Sequence, residues 1–318
     1  MNRKRKSLAL LVVTLAAVLL LVPAASAKSN KTAVKKGAHW IRAAGLGQFP
    51  GTGFKADTLS SLMAAKKIGV SVPLKSRERF LKAVRDDANS YAATAGSTAK
   101  VVIAAVAGGE NPRCFGPSGE KSDFMDALLS EYKSSTGQFG KTAFDHGFAL
   151  IAFKAAHVKP PSKAVKFAKS RRGKYGWGFG LVKKGGDDVE STAVMIQGLR
   201  AAGVSKKDSS LRAAMRWITY QRNTDGGYNP TVSKTPGETQ ADTTSYAIEA
   251  GDAMGMYSSL MNKAKRALRA LQQSNGSFRS APSANSDFHG ISTGNAVLAL
   301  SGQHFPVVAR RTTPKDCT

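Results

Sequence analysis

The chain repeats one pattern six times: a short, alanine-rich segment that opens near a Ser, Thr or Asp and ends at or near a Gly. The marker positions are Thr58, Thr98, Gly147, Thr192, Thr243 and Thr293. Successive markers are 40, 49, 45, 51 and 50 residues apart. Capping residues at the start and glycine at the end are typical of short helices, and a helix that is apolar on nearly all sides is buried. The repeat therefore predicts six buried helices that share one core.

A second, more charged segment precedes each apolar one. In the fifth repeat Leu211, Met215 and Ile218 recur at three- and four-residue spacing with basic residues between them, which predicts a helix with one buried stripe. Turns with Gly and an aromatic, such as "DGGYNP" and "NGSFRS", join most pairs, whereas the second repeat offers only "NSYAATAG". We predict an all-α (α/α)6 toroid, in which six helical hairpins place parallel inner helices inside an outer helical sheath. An open superhelix is the alternative, but the six pairs lack distinct polar end caps.

The first 27 residues have the features of a secretory signal peptide. A basic start is followed by an apolar run, Leu8 to Val22, and by the small residues Ala25 to Ala27. The run of 15 residues is shorter than the roughly 20 that span a bilayer, and no later segment resembles an integral membrane helix. We expect a secreted protein, extracellular or associated with the cell envelope. The predicted divisions are a signal peptide 1–27, a basic segment 28–36, a single toroid domain 37–308 and a C-terminal tail 309–318.

Cysteine usage and charge limit the partners. Cys114 and Cys317 are the two cysteines, and in an oxidising compartment they predict one disulfide that ties the tail to the body. The net charge is +26, of which the leader carries four positive charges and no acid. This excess favours an anionic polymer of the envelope or an anionic lipid as partner. No motif interleaves aromatic and basic residues as proteins that bind single-stranded nucleic acids do, so we expect no nucleic-acid partner. We also expect a monomer.

The repeat motifs resemble those of the α/α-toroid superfamily of terpenoid cyclases, protein prenyltransferase β subunits and cobalamin carriers of the intrinsic-factor type. The chain looks most like bacterial secreted prenyltransferase/squalene-oxidase-repeat proteins. "YQRNTDGGY" and "LQQSNGSF" are similar to the Gln-containing turns of the cyclases, and "DVESTAVMIQGL" and "ADTTSYAIEA" to their inner-helix starts. The resemblance covers about Thr32 to Val308. It implies the toroid fold and leaves the activity open, because one fold hosts many functions.

For an enzyme, the resemblance implies a general acid at an inner-helix start. Proton-initiated cyclases carry an Asp-x-Asp-Asp-Thr-Ala segment, which is matched here from Asp188 to Ala193 with Glu190 at the place of the proton donor and Ser191 beside it. A Glu serves as general acid only when its surroundings tune its pKa. The Asp-Asp-x-x-Asp motif of metal-dependent cyclases is absent from the sequence. The catalytic candidates are Asp188, Glu190 and Asp242.

A zinc site of the prenyltransferase type needs Asp, Cys and His ligands. "DFHGISTGNAVLALSG" resembles the segment that carries the His, at His289, but neither cysteine lies near the required helix start. We predict no metal and no cofactor, and a corrinoid follows only from the likeness to cobalamin carriers.

The sequence favours a non-catalytic toroid that binds a small apolar or corrinoid-type ligand at the mouth of the ring. The ligand-binding candidates are Asp145, His146, Trp177, Phe179, Tyr228 and His289. Two alternatives stay open: a squalene- or hopene-type cyclase-like enzyme that uses Glu190 or Asp188, and an envelope protein that holds anionic polymer or lipid on its basic surface.

Overall fold

The computed structural model describes residues 29–183, 186–230, 237–256, 259–284 and 289–308. Their helices alternate along the chain between two kinds. The odd-numbered helices are α1 (29–43), α3 (Leu74–Tyr91), α5 (Phe124–Ser130), α7 (Ser162–Ser170), α9 (Ser209–Tyr220) and α11 (Ser259–Ala270). The even-numbered helices are α2 (Thr52–Lys67), α4 (Ala95–Ala107), α6 (Ala143–Ala155), α8 (Val189–Ala201), α10 (Ala241–Ala253) and α12 (His289–Leu300). A 3-10 turn at Leu46–Gln48 and a two-stranded hairpin, β1 (Tyr132–Lys133) with β2 (Gln138–Phe139), complete the elements.

The even-numbered helices form a closed inner ring. Each packs against the next in chain order, and α12 packs against α2. Ten of the 13 residues of α6 are buried, against four of the 18 residues of α3, as expected for an inner and an outer layer. The predicted (α/α)6 toroid is therefore confirmed over the open superhelix, because an open arc would leave α2 and α12 apart.

The inner helices run parallel, because equivalent positions of neighbouring helices meet. The carboxylate of Asp145, the third residue of α6, accepts a hydrogen bond from the N–H of Gly96, the second residue of α4, at 3.2 Å. Asp57 and Lys100, each the sixth residue of its helix, form an ion pair at 2.6 Å. The outer helices pack over these pairs, as α9 does on α8 and α10 with the predicted stripe facing inward.

One contact recurs where each turn enters its inner helix. The Thr192 hydroxyl, at the fourth position of α8, accepts from the Trp177 N–H at 2.9 Å and donates to the Trp177 carbonyl at 3.1 Å. Thr244, at the fourth position of α10, makes the same two bonds to Tyr228, at 3.0 and 3.3 Å. We call this side chain the clamp, because it fixes the turn to the helix that follows.

The clamp also occurs in the third and sixth repeats. Thr293 accepts from the Phe278 N–H at 2.9 Å, and the His146 ring accepts from the Phe139 N–H at 3.1 Å through Nδ1. The marker positions assigned from sequence in the third and fifth repeats, Gly147 and Thr243, therefore lie one residue away from the clamp. In the third repeat the pattern of Ser, Thr and Asp misses the clamp because an imidazole nitrogen replaces the hydroxyl.

The structure adds detail at the first helix and in the third repeat. Helix α1 begins at residue 29 and buries Ala33 and Val34, so residues 29–36 of the predicted basic segment are helical. In the third repeat the outer helix α5 is short and ends at Ser130, and the β1–β2 hairpin follows it. The predicted signal peptide 1–27 and tail 309–318 lie outside the described residues.

The structure describes one of the two cysteines of the predicted disulfide. Cys114 is not a free thiol in the structure, and Cys317 lies outside the described residues, so the pairing stays a prediction. Over the described ranges, no helix combines the length and the apolar character needed to cross a bilayer.

Glycine at the contact between α6 and α8 allows a close backbone approach. A Cβ on Gly198 would lie 2.7 Å from the Gly147 carbonyl oxygen and 3.0 Å from its Cα, and backbone atoms move little. We expect Gly198→Ala to lower the free energy of unfolding by about 1–3 kcal/mol despite the better helix propensity of Ala. Urea unfolding followed by circular dichroism measures the change. Gly47→Ala, where a Cβ meets nothing within 4 Å, is the control, and equal stability of both variants would contradict the close approach.

Candidate functional site

The side chains that face the inside of the ring are placed by their distance from the clamp. Residues four apart on a helix share one face, so the positions two before and two after the clamp point the same way. Two residues before the clamp lie Phe144, Glu190 and Asp242, each the second residue of its helix. Two residues after it lie Phe148, Val194, Tyr246 and Asn295, and Lys100 holds the same place relative to the marker Thr98. We call these sets the upper and the lower layer of the mouth.

The upper layer holds two half-buried carboxyls on neighbouring helices. Glu190 Oε1 accepts from the Thr243 hydroxyl at 2.5 Å. Asp242 Oδ1 accepts from Asn295 Nδ2 at 2.8 Å, and its Oδ2 accepts from the Ser292 hydroxyl at 3.4 Å. Burial raises the pKa of both acids above the ordinary value, and these hydrogen bonds oppose the shift. The charge of Asp242 also raises the pKa of Glu190, so Glu190 keeps its proton to a higher pH than a Glu in water.

Asp188 has a different role from these two acids. It is the N-cap of α8, and its Oδ1 accepts from the Ser191 N–H at 2.7 Å. Burial raises its pKa, and the hydrogen bonds from backbone N–H groups oppose the shift. Of the two acids that the sequence offers as proton donors, Asp188 anchors the helix and Glu190 faces the mouth.

A buried ion pair lies in the lower layer. Lys100 Nζ is 2.6 Å from Asp57 Oδ2, and burial raises the pKa of Asp57 while Lys100 opposes the shift. The same ammonium lies 5.0 Å from the ring centroid of Phe148 and 5.7 Å from that of Phe54. A fixed positive charge therefore covers the faces of two phenyl rings inside the mouth.

Tyr246 stands where the acids converge. Its ring meets that of Phe144 edge to face at 5.8 Å. Burial raises the pKa of its hydroxyl well above the ordinary value, and nearby carboxylates raise it further. Those carboxylates belong to Asp57, Glu249, Glu190 and Asp242. Tyr246 is thus a neutral hydrogen-bonding group at the centre of an acidic ring interior.

We call the space bordered by the upper and lower layers the cup. Phe305 packs below it, and the side chains above it are partly exposed. Phe148 and Phe305 are 1% and 2% exposed, with ring centroids 5.7 Å apart, and the Phe305 N–H donates to Gln197 Oε1 at 3.2 Å. Phe144 and Tyr246 keep part of their surface exposed. Phe305 therefore packs against the lower layer, and the partly exposed Phe144 lies nearer the helix N-termini.

Phe179 is the ligand-binding candidate that lies at this cup. Its side chain is 61% exposed, and its ring centroid lies 6.1 Å from that of Phe144. Trp177 and Tyr228, by contrast, are 0% exposed, and Trp177 Nε1 donates to the Ala168 carbonyl at 2.8 Å. The structure places these two rings between hairpins, where they offer no surface to a ligand.

The remaining candidates are engaged in local structure. Asp145 Oδ2 accepts from the N–H groups of Lys141 and Thr142 at 2.9 and 3.0 Å, within a capping box. His289 is half-buried beside Gln273, 3.4 Å from ring nitrogen to amide nitrogen. Among the residues that the structure covers, no group of three His, Cys, Asp or Glu side chains could hold a metal ion.

His146 is fully buried and uses both ring nitrogens. Nδ1 accepts from the Phe139 N–H, so the ring proton is on Nε2, which donates to the Ala164 carbonyl at 3.1 Å. Burial lowers its pKa to about 4, against the opposing effects of the Ala164 carbonyl and the Asp145 charge. His146 is a neutral structural clamp and has no nitrogen left for a ligand.

No family model matches the sequence, and a search of curated proteins finds no match. Solved structures share the fold. The type II terpene cyclase MstE from Scytonema, without ligand, has a TM-score of 0.60 and 15% identity over 86% of this chain and 98% of its own. A point variant of MstE bound to its substrate geranylgeranyl dihydroxybenzoate has a TM-score of 0.59 at 15% identity, over 87% and 98%. A polysaccharide lyase has a TM-score of 0.58 at 10% identity, over 86% and 96%.

The buried neutral His146 predicts a loss of stability in mild acid. Its pKa is about 4 when folded and about 6.5 when unfolded, so the unfolded chain takes up the proton first as the pH falls. The stabilisation is complete above pH 6.5 and decreases by about 3 kcal/mol down to pH 4. Urea unfolding at several pH values measures it. His146→Gln should lose less stability over this range, and the same pH dependence in both proteins would contradict the assignment.

Proposed function

We propose that the chain binds a small, mainly apolar ligand in the cup and does not transform it. The observation that carries the proposal is that partly exposed aromatic rings and carboxyls meet toward the N-terminal ends of the inner helices. Phe144, Phe179 and Tyr246 offer aromatic surface, and the carboxyls of Glu190 and Asp242 lie at its edge with raised pKa values. Ligand sites combine an apolar lining with a few polar groups in this way. A neutral carboxyl both donates and accepts, so a ligand with a hydroxyl or carbonyl at one end suits the cup.

The ion pair in the lower layer argues against cyclisation through carbocations. Such chemistry needs free ring faces that stabilise a positive charge. Here the Lys100 ammonium covers the faces of Phe148 and Phe54 at 5.0 and 5.7 Å. The Lys100 ammonium, whose charge is compensated by Asp57, occupies these ring faces, so they are not free to stabilise a carbocation.

A cyclase-like enzyme remains the second candidate, because one observation favours it. Glu190 is the acid at the position of the cyclases' proton donor, it faces the cup, and burial raises its pKa. A neutral carboxyl beside aromatic rings is what a general acid requires. The likeness to MstE supports the fold for this role. In such an enzyme Glu190 would protonate the substrate, and Asp188 would remain a helix cap.

Export and a corrinoid ligand are further parts of the proposal. The basic, apolar and small-residue segments in residues 1–27 support export. A corrinoid is larger than the small apolar ligand described above, so it would lie over the mouth and contact the exposed Phe179 more than Tyr246.

Ligand binding to the cup is tested with geranylgeraniol, which joins an apolar chain to one hydroxyl, and with cyanocobalamin. A bound probe should raise the unfolding free energy in a saturable way, by about 2.7 kcal/mol at a hundred times Kd. Phe144→Ala should weaken the binding of geranylgeraniol about tenfold, which is about 1.4 kcal/mol. Tyr220→Ala, at a 77% exposed position on the outer helix α9, should leave the affinity unchanged. Titration calorimetry and thermal unfolding measure both effects.

Glu190→Gln separates the two candidate functions. A binding protein keeps its affinity within a few fold in this variant and releases no cyclised product in either form. An enzyme forms product that gas chromatography detects, and the variant loses it. If neither probe stabilises the protein, or if Phe144→Ala leaves the affinity for both unchanged, the cup is not the binding site.

A further inference from the structure

A groove on the outside of the ring concentrates positive charge. It has a volume of about 830 Å³ and lies between α1, the loop after α2 and the turn after α11. Its basic lining residues are Lys31, Lys35, Lys36, His39 and Arg42. None of the described residues that line it is Asp or Glu. We call it the basic groove, and it gives the high net charge of the chain a focus.

The pattern of α1 creates this surface. Lys31, Lys35 and Lys36 are exposed, while Ala33 and Val34 between them are buried. A rise of about 1.5 Å per residue separates charges four residues apart by about 6 Å. The helix therefore presents roughly one positive charge per turn along the groove, in a row rather than a cluster.

The charges of the row are available and partly pre-organised. In the described part of the chain no ion pair involves Lys31, Lys35 or Lys36. Arg42 Nη1 donates to the Ser71 carbonyl at 2.7 Å, and its Nη2 donates to His39 Nδ1 at 3.1 Å. A side chain that is already held loses less entropy when a partner binds.

We propose that the basic groove binds a linear polymer of phosphodiester-linked polyol units. A row of single charges complements an anion that repeats along one chain. Lysine binds phosphate as a point charge and needs no bidentate geometry. No tryptophan, tyrosine or phenylalanine is among the described lining residues, so the groove lacks the stacking surface that nucleobases use.

A lipid surface fits the groove less well. Val70 is the one large aliphatic residue in the described lining, and it is 7% exposed. Binding at a membrane interface uses apolar side chains that enter the acyl region, and the groove is a depression that presents none. Charge complementarity along a chain therefore selects a polymer over a bilayer.

The test uses the full chain without the predicted leader and fluorescently labelled poly(glycerol phosphate), with binding followed by anisotropy. The variant Lys31→Gln/Lys35→Gln/Lys36→Gln should weaken binding at least tenfold at 150 mM salt. The slope of log affinity against log salt should fall by about 2, because each lost phosphate contact removes about 0.7. Thermal unfolding checks that the variant is folded.

The matched control removes three charges from a second depression. Lys206, Lys207 and Arg212 line a groove of about 480 Å³ that also contains Met254 and Met256. Replacing these three basic residues by Gln should change the affinity less than threefold. Equal weakening by both triple variants would reduce the effect to net charge and overturn the proposal.

Competition by unlabelled anions identifies the class of partner without any variant. Poly(glycerol phosphate) should displace the probe better than a thymidine oligonucleotide, polyglutamate or phosphatidylglycerol vesicles at equal charge. Stronger displacement by any of these three would overturn the polyol phosphate assignment. Absence of saturable binding to the wild-type protein at 150 mM salt would overturn the site itself. Neither result bears on the cup, which lies inside the ring.

Discussion

The clamp is the contact on which the mouth of the ring depends. The turns of the third to sixth repeats each bury an aromatic ring and a backbone N–H, and a buried N–H without a partner costs about 1–3 kcal/mol. Thr192 and Thr244 each provide an acceptor and a donor for one turn residue. The bond also sets the rotation of the inner helices that carry it, because it ties a residue near the helix N-terminus to a fixed point. The residues two before and two after it then face the interior.

Several carboxyl groups lie inside the ring, and the charge of Lys100 compensates theirs only in part. Lys100 pairs with Asp57, whereas Glu190 and Asp242 have only neutral hydrogen-bond donors. Moving a carboxylate out of water costs more free energy than such hydrogen bonds recover. Burial therefore raises the pKa of these acids. The two carboxyls of the cup therefore keep their protons to a higher pH than carboxyls in water. This suits neutral, hydroxyl-bearing ligands and gives Glu190 its place in the alternative function.

The period of the sequence predicts the fold well, because helix pairs repeat six times and each pair repeats the same burial pattern. It also identifies Glu190 and Phe179 as residues of the mouth. It fails for Trp177 and Tyr228 because a turn aromatic that fills a gap and one that binds a ligand have the same sequence pattern. Lys100 and Tyr246 were missed because their roles depend on side chains from other repeats. Counting two residues past the clamp Thr244 finds Tyr246, and the same step from the marker Thr98 finds Lys100.

Charge divides the molecule into two binding environments. The outer row on α1 is cationic and exposed, so salt screens it with a Debye length of about 8 Å at physiological ionic strength. The cup combines aromatic rings with two half-buried carboxyls of raised pKa. An anionic polymer complements the row on α1, whereas a neutral ligand suits the cup. The two proposed sites therefore suit partners of different chemistry, and because they lie on different parts of the ring, binding at one does not exclude binding at the other.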